Sequence, residues 1–270
     1  MLRVAITGVT GRMGKNLVRA AYENENIQCV AAVARPGNPS SGMDAGVLAG
    51  IEEINVTVSN HLQTCIELLD VVIDFTLPSP CMENLAVCEQ AGRAIVIGTT
   101  GFSAQQREQI KLAAQTIPVI LAPNMSIGVN LSFKLLEIAA KVLGESTDIE
   151  IIEAHHRHKL DAPSGTALRM GEVIARTLGR DLESHAVWSR HGQMQERKQE
   201  EIGFSVIRAG DIVGEHTVMF ADQGERIEIT HKATSRMTFA TGAMRAVLWL
   251  ADKPAGLYDM QDVLDLHHVS

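Results

Sequence analysis

The four cysteines, Cys29, Cys65, Cys81 and Cys88, form no CxxC pair and no other metal-ligand spacing. Lying in apolar stretches, they read as reduced core residues that act as small hydrophobes. Also missing is any window approaching 18 consecutive apolar residues, so no helix is expected to span a bilayer. Positive charge is in short supply: 24 Lys and Arg stand against 32 Asp and Glu, for a net charge of -8. With a pI near 5.7, the chain lacks the broad basic footprint of a nucleic-acid or anionic-membrane binder. Internal repeats and low-complexity tracts are absent. The opening Met1-Leu2-Arg3-Val4-Ala5-Ile6-Thr7 looks like a strand rather than a signal peptide, which makes a cytoplasmic location the expectation. What is present is ordinary globular material, 46% hydrophobic and 21% charged, in 270 residues. That length suits one large domain or two modest ones. Any basic cluster in such a chain is local and aimed at something small.

The first 120 residues alternate short β-branched runs with amphipathic stretches. Strands are expected at Arg3–Thr7, Gln28–Ala34, Val71–Phe75, Ala94–Gly98 and Pro118–Ala122, with helices at Arg12–Tyr22, Met82–Gln90 and Ala104–Gln115. This spacing predicts a parallel sheet covered on both faces. The Gly- and Ser-containing stretch from Arg35 to Gly50 reads as a long loop. After Pro123 the pattern changes. Leu131, Leu135, Ile138 and Val142 recur at helical spacing, and a strand over Asp148–Ala154 follows. Gly165–Leu178 reads as a helix. Strands at Gly203–Arg208, His216–Phe220 and Arg226–His231 come without intervening helices, so a mostly antiparallel sheet in a second domain is expected. A last helix, Phe239–Leu250, is placed to return to the first domain.

Gly8-Val9-Thr10-Gly11-Arg12-Met13-Gly14 follows the first strand and opens the first helix. Glycines there let the backbone approach a pyrophosphate, and the helix start supplies aligned N–H groups and partial positive charge. The spacing is GxxGxxG rather than the commoner GxGxxG, and context decides it: strand, turn and helix in the first position of an alternating pattern. The second strand ends at Ala34-Arg35, about 20 residues after Gly14, where an NAD-selective site carries an acid for the ribose 2′-hydroxyl. No acid stands there. Arg35, with Arg12 as a second cation, suits a 2′-phosphate instead, so NADPH is expected to be preferred and NADH to be able to substitute.

The most informative stretch is Glu153-Ala154-His155-His156-Arg157-His158-Lys159-Leu160-Asp161-Ala162-Pro163-Ser164-Gly165-Thr166. Clustered cations repel one another, and the grouping is costly unless an anion or a reaction uses it. Ser164-Gly165-Thr166 can present hydroxyls and helix-start N–H groups to a carboxylate, and His and Lys can donate protons near neutral pH. A small anionic substrate fits. Two other readings stay open: a zinc site built from Glu153 and the three histidines, and a solvated turn. The zinc reading suffers because His155 and His156 would point oppositely on a continuing strand and because HExxH spacing is missing. His267 and His268 near the end read as surface residues.

Taken together, GxxGRMG, Asp74-Phe75-Thr76, Gly98-Thr99-Thr100-Gly101-Phe102 and the EAHHRHKxDAPSGTA block resemble the 4-hydroxy-tetrahydrodipicolinate (dihydrodipicolinate) reductase family. Arg208-Ala209-Gly210-Asp211-Ile212-Val213-Gly214-Glu215-His216 and Ser235-Arg236-Met237-Thr238-Phe239-Ala240 extend the resemblance over nearly the whole chain. It implies an α/β protein: a discontinuous Rossmann-like domain over 1–126 and 237–270, hinged to a C-terminal α+β substrate and oligomerisation domain over 127–236. The implied assembly is a homotetramer, with no nucleic-acid or membrane partner. The implied reaction is hydride transfer from NAD(P)H to a small unsaturated imine dicarboxylate, giving tetrahydrodipicolinate on the diaminopimelate route to lysine. His155 and Lys159 would be the acid/base pair, and His156, Gly165 and Thr166 would hold substrate carboxylates. Gly8, Val9, Thr10, Gly11, Arg12, Met13, Gly98, Thr99, Thr100, Ala122, Pro123, Asn124 and Met125 would join Arg35 in contacting the cofactor, and no metal is implied. Some members carry Glu where this chain has Ala34, a departure that again favours NADPH. A reductase of another small acidic imine or aldehyde, and a dinucleotide-sensing module without catalysis, remain as alternatives.

Overall fold

The computed structural model describes residues 1–269, which divide into two compact units, each with its own core. The first comprises Met1–Ile127 and Arg236–Asp265, and the second Gly128–Ser235 with the short stretch from Leu266 onward.

The first unit opens with β1 (Leu2–Thr7), α1 (Arg12–Tyr22), β2 (Ile27–Val33), a short α2 (Ala45–Ala49), β3 (Val58–Ser59), β4 (Val71–Asp74), α3 (Pro78–Ala91), β5 (Ala94–Ile97), α4 (Ala104–Ala113) and β6 (Pro118–Leu121). Every β4 residue is buried, as expected of a strand covered on both sides. Successive side chains of a strand alternate between faces. Val4 and Ile6 of β1 accordingly enter one apolar cluster with Val71 and Ile73, while Ala5 joins another with Val72, Ile95 and Ile97. Helix α1 covers the first face, and α3 and α4 cover the second.

The second unit follows: α5 (Ile127–Leu143), β7 (Asp148–His155), α6 (Gly165–Thr177), α7 (Leu182–His185), β8 (Ala186–Val187), β9 (Ile202–Arg208), β10 (Gly214–Ala221) and β11 (Arg226–Ala233). Next come α8 (Met237–Leu250), β12 (Gly256–Tyr258) and α9 (Met260–Val263). These three elements belong to the first unit, where α8 packs beside α1 and β12 extends the sheet. Seven strands result, in the order β12-β6-β5-β4-β1-β2-β3, all pairings parallel. The strand order reverses between β1 and β4. In open parallel sheets the crevice at such a reversal, beyond the carboxyl ends of the strands, is where ligands bind.

The five-stranded second sheet runs β11-β10-β7-β9-β8. Its two β10 pairings are antiparallel, and both β9 pairings are parallel. The sheet is therefore mixed where consecutive strand runs predicted a mostly antiparallel one. The reason is that β7 crosses over through α6, as parallel neighbours require, before β9 lies down beside it. Helices α5 and α6 cover one face, meeting Ile149, Ile151, Ile202, Phe204, Val218 and Phe220. The expected loop at 35–50 also differs. Asp44 accepts hydrogen bonds from the Gly46 and Val47 N–H groups and so starts α2 inside it. Cys81 and Cys88 are buried, Cys29 and Cys65 half-buried, and none forms a disulfide. Among the described residues no helix is long and apolar enough to cross a membrane.

Candidate active site

In the first unit, a cleft of about 450 Å³ opens at the strand-order reversal. Gly8, Thr10 and Gly11 line it from the glycine turn, Ala34 and Arg35 from the end of β2, and Phe75 and Thr76 from the end of β4. Gly8 has φ +67°, a left-handed conformation that suits glycine. Gly11 caps α1 without any side-chain hydrogen bond to the first turn, so the helix start faces an incoming anion with its own N–H groups. Gly14 lets α1 sit directly on the turn: a Cβ there would lie 2.3 Å from the Gly8 carbonyl oxygen. Arg35 is exposed at the rim and Ala34 is buried beside it. These features fit a phosphate-bearing dinucleotide.

Of the other sequence-predicted cofactor residues, Val9 is buried and its N–H bonds the Val33 oxygen at 3.2 Å, which turns it from the cleft. Arg12 is exposed on the first turn of α1 and Met13 packs against the core. Gly98 lies under Phe75, whose ring atoms stand 2.2–2.7 Å from where a Cβ would be. Thr99 is buried and Thr100 exposed just after β5. After β6, Ala122 and Met125 are buried, Pro123 is exposed, and the Asn124 side-chain oxygen accepts from the Ser126 N–H. None of Gly98–Thr100 or Ala122–Met125 lines the cleft itself.

Asp74 belongs to the Asp74-Phe75-Thr76 motif, whose spacing alone assigns it no role. The structure makes it the hub beneath the cleft. Fully buried, it accepts from the Thr7 hydroxyl (2.8 Å), the Thr76 hydroxyl (2.7 Å) and N–H (3.1 Å), the Thr99 hydroxyl (2.9 Å) and the Asn84 amide (2.8 Å). A buried polar group needs such partners. Here they come from β1, the β4 and β5 ends and α3, so one carboxylate ties the strand ends together.

In the second unit the basic cluster begins where β7 ends. Because residues two apart on a strand share a face, Glu153 and His155 both point inward. His155 Nδ1 lies 2.6 Å from Glu153 Oε2. Arg208, paired with His155 in register across β7 and β9, clasps both Glu153 oxygens at 2.8 Å, and the Ser164 N–H donates to Oε1 at 3.0 Å. Burial alone would raise the Glu153 pKa, but hydrogen bonds from His155, Arg208 and Ser164 outweigh it and bring the carboxyl down to about 2. His216, opposite Glu153 on β10, stacks edge-on against His155 with ring centroids 5.1 Å apart, and its Nε2 meets the Ser164 hydroxyl at 3.0 Å. Burial, helped by the neighbouring His155, pushes His216 down to about 3 and keeps it neutral.

Beyond the strand the chain leaves the sheet, so His156 does not continue the alternation. Its ring sits 6.2 Å from that of His158, Arg157 and His158 are exposed, and Lys159 pairs with Asp161 at 2.9 Å. Ser164 then caps α6 by accepting from the Ala167 N–H, which places Gly165 and Thr166 in the first turn. A Cβ on Gly165 would meet nothing within 4 Å, so its backbone is open to approach. Among the described residues, Glu153, His155, His156 and His158 do not gather one ligand atom each around a common point. His267 and His268 are exposed.

Comparison with known proteins settles the lineage. The N-terminal model of dihydrodipicolinate reductase matches residues 2–125, and the C-terminal model of the same enzyme matches residues 128–264. The chain belongs to the dihydrodipicolinate reductase family. It is 59% identical over 266 residues to the 4-hydroxy-tetrahydrodipicolinate reductase of Methylococcus capsulatus, covering 98% of this chain and 99% of that protein. Among solved structures it resembles the dipicolinate-bound dihydrodipicolinate reductase of Paenisporosarcina sp. TG-14, with a TM-score of 0.77 and 29% identity over 96% of this chain and 97% of that one. An amine dehydrogenase from Mycobacterium smegmatis shares the fold alone, at 13% identity and a TM-score of 0.61 over 95% and 94%.

Proposed function

We propose that this reductase takes hydride from NADPH in preference to NADH and delivers it to 4-hydroxy-tetrahydrodipicolinate or its dehydrated form, giving tetrahydrodipicolinate for the diaminopimelate route to lysine. The observation that carries the substrate assignment is the gathering of His155, His156, Lys159 and the open start of α6 on one end of the second unit. The Paenisporosarcina relative binds dipicolinate, a planar dicarboxylate, and a cationic patch beside a helix start is suited to such a ligand. The cofactor would be held by Gly8, Thr10 and Gly11 with Arg35 at the 2′-phosphate, and it supplies the hydride. Ala34 offers no carboxylate to repel that phosphate.

His156 and the Gly165–Thr166 turn hold a carboxylate. Lys159 stabilises the charge that hydride addition leaves on the ring and donates a proton, and His155 exchanges protons with it. Positioned general acids of this kind contribute about 10²- to 10⁴-fold. The protein works as a cytoplasmic homotetramer joined through the second sheet. In support, the outer face of that sheet leaves Ile152, Thr217 and Met219 half-buried and Ile207 exposed.

The decisive assay follows NADPH oxidation while the unstable substrate is generated in place from pyruvate and aspartate semialdehyde. Turnover that depends on the generating enzyme is the expected result, and its absence with intact NADPH binding refutes the substrate. Running the assay with both cofactors tests Arg35. Charge-assisted hydrogen bonds are worth about 1.5–3 kcal/mol and an exposed side chain falls at the low end, so Arg35→Ala should cut the NADPH/NADH preference roughly tenfold. An unchanged ratio removes Arg35 from the site.

A further inference from the structure

The second unit contains a charged pair that the scheme above leaves without work. Glu153 and Arg208 are far from ordinary surface partners: the Glu153 side chain is 1% exposed and that of Arg208 is 19% exposed. Four donors converge on the two carboxylate oxygens. Oε2 receives His155 Nδ1 and Arg208 Nη1, and Oε1 receives the Ser164 N–H and Arg208 Nη2. Arg208 is itself held by the Asp161 carbonyl oxygen at 2.6 Å. An ionised carboxylate only accepts, so the imidazole nitrogen facing it must be the one carrying hydrogen. The opposite nitrogen, Nε2, makes no hydrogen bond among the described residues, and it faces Gly214. A Cβ at Gly214 would come to 3.0 Å of Nε2, whereas the glycine leaves that nitrogen room.

We propose that Glu153, clamped by Arg208 and the Ser164 N–H, is a positioning residue that holds His155 as the Nδ1–H tautomer and so dedicates Nε2 to proton exchange with the substrate. The arrangement follows the logic by which a buried carboxylate fixes the tautomer and ring orientation of a working histidine. It also accounts for the strand spacing. A carboxylate two residues before the imidazole shares its face, and the cross-strand partner of the imidazole supplies the guanidinium. His216 completes the cage without competing for the carboxylate, because its Nε2 is engaged by the Ser164 hydroxyl.

This inference rests on the reductase reading, and its test separates the two. Glu153→Gln offers one acceptor oxygen to four donors. It should lower kcat about ten- to a hundredfold, the scale on which outer orienting partners act, with the NADPH Kd unchanged within about twofold. Thermal stability should fall too, because Arg208 is left half-paired. The double variant Glu153→Gln/Arg208→Gln relieves that imbalance. Recovery of stability without recovery of kcat is the expected result, and recovery of both shows a structural role only and overturns the proposal. An independent reading comes from selectively 15N-labelled histidine, with His155 assigned by its loss in His155→Asn. In the neutral ring of the wild type, the Nδ1 shift should be that of a protonated nitrogen and Nε2 that of an unprotonated one, with the Nδ1–H population falling in Glu153→Gln. The reverse tautomer in the wild type overturns the proposal even if turnover is normal. Should the wild type fail to reduce the substrate, the reductase reading falls, and the nitrogen shifts still decide the tautomer.

Discussion

Replacing Gly14 by Ala sets two free energies against each other. Gly14 lies in the first turn of α1, and an interior glycine costs a helix about 1 kcal/mol relative to Ala, so propensity alone favours the substitution. Packing opposes it. The new Cβ would lie 2.3 Å from the Gly8 oxygen, 2.6 Å from Val9 Cα and 2.8 Å from the Val9 carbonyl carbon, against an ordinary contact of at least 3.4 Å. All three atoms are backbone, so no rotamer change relieves the overlap, and the helix start and the turn must separate by about 1 Å at the closest point. Overpacking costs typically about 1–3 kcal/mol, and three backbone overlaps place this case at the upper end. The net effect should be a loss of about 1–2 kcal/mol, or roughly 2–8 °C in the melting temperature of the first unit. The displaced atoms form the glycine turn proposed to hold the cofactor phosphates, and misplacement on the 1 Å scale can cost about a hundredfold in function. NADPH affinity, read by fluorescence titration, should therefore weaken at least tenfold. Gly11→Ala, whose Cβ would approach only the Gly8 oxygen and at 3.2 Å, should perturb the turn much less. A Gly14→Ala protein that melts higher than the wild type and binds NADPH equally well would refute the close-approach argument.

Lys159→Ala should lower kcat by about 10²-fold or more while leaving NADPH affinity unchanged, because Lys159 and the glycine turn lie in different units. Parallel collapse of both in single-turnover and binding measurements would show that Lys159 serves the cofactor. His216 sets an acid limit on stability. Its pKa is depressed on folding from 6.5 to about 3, so the unfolded chain binds the extra proton between those values. Stability present above pH 6.5 is then lost as pH falls, at up to about 1.4 kcal/mol per unit. Glu153, depressed from 4.5 to about 2, adds loss in the same direction only below about pH 4.5. Urea unfolding at pH 7 and pH 5 should show a smaller drop for His216→Gln than for the wild type, and equal drops would exclude His216 as the titrating group.

Much of this protein is determined locally and was legible without a structure. The β-branched runs and the strand-helix alternation define five of the seven parallel strands to within a residue or so at each end, because burial on both faces demands continuous apolar segments. The glycine turn and the EAHHRHK block are also local, with spacing tied directly to a backbone turn or a strand end. The sequence did not disclose β3, β8 or β12, which are only two or three residues long and exist by pairing with a neighbour rather than by propensity. The mixed sheet was hidden for a related reason: strand direction depends on where the chain re-enters after the 188–201 stretch, which carries no periodic signal. Tertiary structure alone decided which polar residues work together. Thr7, Thr76, Asn84 and Thr99 meet on Asp74 from positions up to 67 residues apart. Arg208 reaches Glu153 across 55. Hydrogen bonds need donor and acceptor within about 3 Å, and only the folded sheets bring groups so distant along the chain to that separation.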